Sequence, residues 1–165
     1  MGIPILSVGI HIDLAGPCFG HMFLVLIDAH TKWLEVILLS STTSKVIIEN
    51  LKMIFARLGL PETVVSDNAS YFVSQEFENF LQRNGVRHIT SAPYHPSSKG
   101  LAERAVQVFK TGMKRTTMGS LNDRISGFLF AYRKNTTNYY KTFSSRTSPG
   151  AESVFSPGSD TARCF

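Results

Sequence analysis

The chain has 165 residues, of which 43% are hydrophobic and 18% are charged, and its formal net charge is +5 at pH 7. This length predicts one domain, and the composition excludes intrinsic disorder for most of the chain. No apolar run reaches the roughly 18 residues of a membrane span, so we expect no membrane partner. Two cysteines, Cys18 and Cys164, provide neither a disulfide framework nor a thiolate zinc site, which favours an intracellular location.

Charge is unevenly distributed along the chain. Residues 1–98 contain 6 Lys+Arg and 8 Asp+Glu, a net charge of −2, whereas residues 99–165 contain 11 and 4, a net charge of +7. A basic half favours a polyanionic partner, nucleic acid first, although a solvated basic surface would have the same composition.

The first third of the chain has the pattern of strands. Apolar residues alternate with polar ones over residues 10–14, and Gly16-Pro17 is predicted to end this strand. Residues 23–27 and 34–39 are two further apolar runs of strand length. Three strands this close in sequence predict an antiparallel meander.

Helices and short strands alternate after the meander. Apolar residues at helical spacing predict a helix over residues 47–58, with Ser44 as its N-cap and Gly59 as its stop. Residues 64–66 form a short strand that a helix separates from the first strand, so the two can be parallel. A second helix is predicted from its cap at Ser74 to residue 83, and a strand at residues 86–90 follows.

The basic half is predicted to be mainly helical. Residues 92–100 have the composition of a loop, and helices are expected over about 101–117 and 121–133. From residue 135 onward the sequence lacks periodicity, and we expect an irregular tail. Strands followed by strand–helix alternation predict an α/β domain with a mixed sheet.

Three acidic residues occupy positions that need an explanation. Asp13 lies in a strand of apolar neighbours, Asp67 ends the 64–66 strand, and Glu103 falls in the first turn of the predicted 101–117 helix. If these side chains converge, their mutual repulsion is relieved by a divalent cation, and carboxylate oxygens suit Mg²⁺ or Mn²⁺. Each acid also has an ordinary structural explanation, as a strand-end residue, a turn former or an acid at a helix N-terminus.

One face of the long helix continues from its acid with polar and basic residues. Glu103, Gln107, Lys110 and Lys114 fall within about 60° of one another at 100° per residue. This stripe suits a metal ligand followed by groups that bind a phosphate backbone, or a solvated face with Glu–Lys pairs. The apolar residues predicted on the opposite face are Ala105, Val108, Phe109 and Gly112.

Several ordered motifs surround these acids, and the gap between Asp67 and Glu103 contains 35 residues. The motifs are His11-Ile-Asp-Leu-Ala-Gly-Pro17, Ile27-Asp-Ala-His-Thr-Lys-Trp33, Ser66-Asp-Asn68, Ser74-Gln-Glu-Phe77, Ala92-Pro-Tyr-His-Pro96 and Gly100-Leu-Ala-Glu-Arg104. With this spacing, residues 9–134 resemble the catalytic core domain of retroviral and retrotransposon integrases, particularly the Gypsy-type LTR branch. Residues 135–165 diverge from that family.

The resemblance implies an RNase H-like fold with a mixed five-stranded sheet, three antiparallel strands followed by parallel strands, flanked by helices. It implies a metal-dependent polynucleotidyl transferase that processes DNA 3′ ends and transfers strands during DNA integration. Asp13, Asp67 and Glu103 match the catalytic acids, which also bind the metal. Asp13 would bridge two Mg²⁺ or Mn²⁺ ions, and each of the other two acids would complete one site.

The resemblance also implies DNA contacts. Lys110 matches a helix lysine that contacts substrate DNA, and residues 94–100 match the flexible catalytic loop. The expected DNA-binding residues are Tyr94, His95, Ser97, Lys99, Gln107, Lys110 and Lys114. The expected partners are retroelement DNA ends, a target duplex in the nucleus and a second copy of the chain, since joining two ends needs two centres.

Some features depart from the family pattern. Ala69 replaces the usual glycine after Asp-Asn, which would strain a turn that required positive φ. Ser97 and Lys99 replace common loop residues, and we recognise neither a zinc module before the core nor a DNA-binding module after it. Two alternatives therefore stay open: a domesticated or truncated, non-catalytic DNA-binding or interaction domain, and an RNase H-type nuclease that cleaves RNA–DNA hybrids.

Overall fold

A computed structural model describes residues 8–90, 96–116 and 118–146. Five strands and four helices follow one another in these ranges. They are β1 (Gly9–Cys18), β2 (His21–Asp28), β3 (Leu34–Leu39), α1 (Ser44–Leu58), β4 (Thr63–Ser66), α2 (Gln75–Arg83), β5 (Arg87–Thr90), α3 (Pro96–Arg115) and α4 (Leu121–Arg146). Within these ranges no helix has both the length and the hydropathy to cross a membrane.

The sheet has the order β3-β2-β1-β4-β5. β1, β2 and β3 form the predicted antiparallel meander, and β4 and β5 add in parallel to β1. The mixed five-stranded sheet expected from the sequence is therefore confirmed. The first strand does not end at Gly16-Pro17 as predicted, because an irregularity between Ala15 and Cys18 lets the pairing with β2 continue.

Local chemistry fixes α1 and α2. The α1 N-cap is Thr43 rather than Ser44, and Ser44 Oγ instead donates to the main-chain oxygen of Tyr71 at 2.9 Å. Gly59 ends α1 with a φ of 89°, where a glycine is favoured. Ser74 caps α2 as predicted, accepting a hydrogen bond from Phe77 N at 3.2 Å.

The core lies in two clusters, one on each face of the sheet. Ile10 and Ile12 of β1 pack with residues of α1 and α2, whereas Ala15 packs with residues of α3 and α4. Because side chains alternate along a strand, residues 10–15 of β1 have their even-numbered side chains on the α1/α2 face and their odd-numbered ones on the α3/α4 face.

The basic half differs from the sequence prediction at two places. α3 begins at Pro96, so residues 96–100 are helical and not part of a loop, since proline is compatible with the first turn of a helix. α4 extends to Arg146, so residues 135–146 are helical rather than irregular. The domain boundary at residue 134 stays a prediction.

Contacts with β3 and the turn before it anchor the middle of α4. Arg133 Nη2 donates to the Glu35 carboxylate at 3.0 Å and to Leu34 O at 3.1 Å, and its guanidinium lies 4.0 Å from the centre of the Trp33 ring. Tyr132 Oη donates to Lys32 O at 3.2 Å. These tertiary contacts stabilise a helix that its Thr- and Asn-rich sequence does not favour by itself.

Candidate metal and nucleic-acid site

Two of the three predicted acids meet where β1 and β4 run side by side. The parallel register pairs Ile10 with Val64 and His11 with Val65. The pairing ends there, and the same register extended by two residues would set Asp13 beside Asp67. Asp13 has the parity of Ala15 and so belongs to the sheet face that α3 and α4 cover.

Main-chain amides orient both carboxylates. Leu14 N donates to Asp13 Oδ1 at 2.7 Å, and Ala69 N donates to Asp67 Oδ1 at 3.1 Å. Both acids are half-buried. Ala69 makes this turn without positive φ, a conformation that only Phe19 and Lys32 adopt among the described non-glycine residues. The strain expected at residue 69 is therefore absent.

The phenol of Tyr71 lies within the electrostatic reach of both acids. Burial raises the pKa of Tyr71 above its ordinary value, and the negative charges of Asp67 and then Asp13 raise it further. Both carboxylates therefore act electrostatically on the same phenol.

The Asp13–Asp67 pair fits the ligand preference of magnesium. Mg²⁺ takes hard oxygen ligands in an octahedron and commonly uses one or two carboxylates with water in the other positions. Two oriented carboxylates, one in β1 and one directly after β4, meet that requirement for one ion. They also repel each other, a conflict that a divalent cation relieves.

Glu103 is not placed with the other two acids. It is the eighth residue of α3 rather than a first-turn residue, and its side chain is exposed. Across the ranges that the structure describes, no three His, Cys, Asp or Glu side chains form a group that could hold a metal ion. The convergence of all three acids stays a prediction, and the two-acid pair is the part that the structure supports.

The packing of α3 explains the position of Glu103. Its buried residues are Ala102, Ala105, Val106, Phe109 and Met113. With 100° of rotation per residue, the centre of this buried face lies about 60° around the helix axis from the centre of the predicted apolar face. Val108 is consequently 45% exposed, which corrects the prediction that it faces the core. Glu103 then lies at the border of the buried face.

The predicted polar stripe does lie outside the core. Gln107 and Lys114 are exposed and Lys110 is half-buried. Gln107 also lines a groove of about 800 Å³ between α3 and α4. Ser97 and Lys99 lie on the first turn of α3, while Tyr94 and His95 lie outside the described residues. The DNA-binding role of this set stays a prediction.

Sequence reasoning missed a polar network beside Asp67. Ser66 Oγ donates to Asp67 O at 2.9 Å and lies 2.8 Å from His88 Nε2. His88 Nδ1 in turn lies 2.5 Å from Glu78 Oε1. The available signal in the sequence was His88, a polar residue within the short β5 strand that pairs with β4, the strand before Asp67.

Comparison with known proteins identifies this architecture. The chain matches the family described as "Integrase core domain" over residues 11–96. It is 44% identical over 126 residues to the uncharacterized protein K02A2.6 of Caenorhabditis elegans, covering 75% of this chain and 10% of that protein. It is 33% identical over 95 residues to the Gag-Pro-Pol polyprotein of Mason-Pfizer monkey virus, covering 58% of this chain and 5% of that protein. The chain thus spans a tenth or less of the length of these relatives.

A solved structure shares the fold. The HTLV-2 integrase catalytic core domain, solved in complex with magnesium in a trimeric form, aligns with a TM-score of 0.64 and 21% identity. The alignment covers 79% of this chain and 87% of that one. The family match includes Asp13 and Asp67 and spans 86 of the 165 residues. This chain therefore belongs to the integrase core domain family and has its RNase H-like fold.

Proposed function

We propose that this domain is the catalytic core of a retroelement integrase, a polynucleotidyl transferase that processes DNA 3′ ends and transfers them into a target duplex. The observation that carries the proposal is the parallel pairing of β1 with β4, whose register directs Asp13 of β1 and Asp67, the residue after β4, toward each other. Membership of the integrase core family and the magnesium in the HTLV-2 structure support it.

Asp13 and Asp67 would hold the metal, and Glu103 is proposed to add a third carboxylate for a second ion. Bound Mg²⁺ or Mn²⁺ would supply Lewis-acid activation of the attacking oxygen and charge stabilisation in an in-line displacement. The protein's contribution is the fixed orientation of its carboxylates, which the Leu14 and Ala69 amides maintain. A preoriented site avoids reorganisation when the substrate phosphate arrives.

The basic face of α3 would hold the DNA backbone. The helix contains five Lys or Arg residues and one acid, so its charge attracts phosphates regardless of base sequence. Lys110 and Lys114 share a stripe with Gln107, so these three side chains would meet the phosphates along one line. We further propose that the protein acts in the nucleus as a dimer or larger assembly, as the trimeric form of the HTLV-2 core is also oligomeric.

An Asp67→Asn variant tests the proposal. It should abolish Mg²⁺-dependent nicking and joining of a labelled duplex oligonucleotide, losing about 100-fold or more in rate because a metal ligand is removed. Its thermal unfolding by circular dichroism should stay near that of the unmodified chain, since the residue is half-buried and outside the core clusters.

Glu49→Gln is the matched control, because Glu49 is an exposed acid on α1. It should retain full activity. Undiminished cutting by Asp67→Asn would refute the assignment, and a parallel assay with an RNA–DNA hybrid would reveal an RNase H-type nuclease instead.

One alternative, a non-catalytic DNA-binding domain, is favoured because the described residues form no three-acid group that could hold a metal ion. Magnesium binding separates the two functions. At ten times the Kd of a single site, Mg²⁺ should stabilise the fold by about 1.4 kcal/mol. For a domain of this size that corresponds to a rise in Tm of about 3–6 °C. DNA binding without any magnesium-dependent rise in Tm would favour the non-catalytic function.

A further inference from the structure

We infer that Glu78 and His88 form a positioning pair that holds Asp67 in place through Ser66. This inference rests on the proposed function, because it concerns the metal site to which Asp67 contributes. It assigns a role to a network on the α1/α2 face of the sheet, whereas Asp13 lies on the α3/α4 face, where a metal would be held. Neither residue of the pair would touch the metal or the DNA.

The network crosses three elements in a continuous line of contacts. Glu78 on α2 lies 2.5 Å from His88 Nδ1 on β5, and His88 Nε2 lies 2.8 Å from Ser66 Oγ at the end of β4. Ser66 Oγ also donates to Asp67 O at 2.9 Å. Both ring nitrogens of His88 therefore have partners, which fixes the plane of the ring.

Burial makes this arrangement rigid at its inner end. The His88 side chain is 4% exposed, and its ring packs edge-on against Phe77, with ring centres 5.3 Å apart. Ser66 is 3% exposed. Because Ser66 is buried, the Ser–His–Glu line cannot act as an accessible nucleophile, and its role is to hold the chain. Glu78 is 44% exposed at the outer end.

The strand register explains why His88 reaches Ser66. In the parallel β4–β5 pair, His88 lies opposite Val64, and Ser66 is two residues further along β4 on the same face. Asp67 follows immediately and has the opposite parity. The pair thus holds Ser66, the residue directly before Asp67, from the α1/α2 face of the sheet. The carboxylate of Asp67 is held separately, by the hydrogen bond from Ala69 N.

Removing either end of this line should loosen Asp67 and weaken metal binding. Partners that orient a metal ligand typically contribute about 10–100-fold in metal affinity. The test measures the Kd of the full chain for Mg²⁺ by isothermal titration calorimetry, with circular dichroism melting of the same samples as a check on folding.

Two substitutions of His88 separate its two contacts. His88→Gln places an amide nitrogen near the position of Nε2 and can still donate to Ser66, whereas His88→Asn mimics only the Nδ1 side and loses Ser66. We expect His88→Asn to weaken Mg²⁺ binding about tenfold and His88→Gln to restore most of the affinity. Ser66→Ala should match His88→Asn, and the double variant His88→Asn/Ser66→Ala should bind no more weakly than either single variant.

Substitutions at the exposed end of the network test the positioning role even if the variants of the buried residues His88 and Ser66 do not fold. Glu78→Ala should fold, because Glu78 is half-exposed, and should weaken Mg²⁺ binding about fivefold through loss of one hydrogen bond. Glu76→Ala is the matched control, an exposed acid on the same helix that should leave the Kd unchanged.

The outcomes distinguish this inference from the proposed function. If the unmodified chain binds Mg²⁺ and folded Glu78→Ala, His88→Asn and Ser66→Ala all bind it equally well, the positioning role is refuted and the metal site stands. If the unmodified chain and Asp67→Asn both fail to bind Mg²⁺, the proposed function and this inference fall together.

Discussion

Substitution of glycine by alanine should have opposite effects on stability at two positions of adjacent helices. Gly112 on α3 and Gly127 on α4 are both interior helix positions, where alanine stabilises a helix by about 0.5–1 kcal/mol relative to glycine. A Cβ at residue 127 would meet nothing within 4 Å, whereas a Cβ at residue 112 would lie 2.3 and 2.6 Å from two ring carbons of Phe128.

The Phe128 ring has little room to move away. It is 7% exposed, with its centre 5.5 Å from that of Phe109 on one side and 6.1 Å from that of Tyr132 on the other. Overpacking of a core costs about 1–3 kcal/mol, and contacts this short belong at the upper end of that range. After the gain in helix propensity, Gly112→Ala should lower the free energy of unfolding by about 2 kcal/mol.

Urea denaturation followed by circular dichroism measures both variants. Gly127→Ala should raise the free energy of unfolding by about 0.5–1 kcal/mol, so the two variants should differ by nearly 3 kcal/mol. Adding Phe128→Leu to Gly112→Ala should recover part of the loss, giving a coupling energy of about 1 kcal/mol or more. A Gly112→Ala chain as stable as the unmodified one would refute the close approach of α3 to α4.

Two further predictions concern the core and the electrostatics of the site. Phe109→Ala should lower the free energy of unfolding, measured by urea denaturation, by about 3–5 kcal/mol, because that ring is fully buried and its centre lies 5.0 Å from that of the Phe23 ring. The control Phe130→Ala, at a 71% exposed residue of α4, should change it by no more than about 0.5 kcal/mol. Equal losses in the two variants would contradict the packing described for α3. The pKa of Tyr71, measured from the alkaline absorbance difference against Tyr71→Phe, should fall in Asp67→Asn, since a neighbouring negative charge that raises it is removed. Because the folded-state pKa of Tyr71 is raised, its contribution to stability is present below about pH 10 and is lost as the pH rises through the folded-state value. An unchanged Tyr71 pKa in Asp67→Asn would mean that the two groups are not close.

Local signals predicted the sheet and the first two helices well. The strand of residues 34–39 has the same bounds in the structure, and Ser74 and Gly59 act at the predicted helix ends. These features depend on alternation, caps and stops within a few residues of the sequence, which is the range over which such patterns carry information.

Tertiary contacts decided the elements that the sequence did not predict. Residues 135–146 continue a helix that Tyr132 and Arg133 anchor to β3 and the turn before it, and composition alone cannot reveal contacts about 100 residues apart in the chain. The orientation of α3 likewise depends on which of its faces meets Phe23 and Ala15. Periodicity identified a stripe on this helix but not its rotation, so the position of Glu103 could not be derived.

The two proposed metal ligands differ in how firmly the fold holds them. β1 pairs with β2 on both sides of Asp13 and with β4 over residues 9–11, and core clusters cover both of its faces. Asp67 lies just past the last residue of a four-residue strand. In hydrogen exchange, amides of β1 around Asp13 should open only with global unfolding, whereas those following Ser66 can open through local fluctuations. Asp13 would then be held by the sheet itself, whereas the position of Asp67 would depend on the contacts of Ser66 and Ala69 on either side of it.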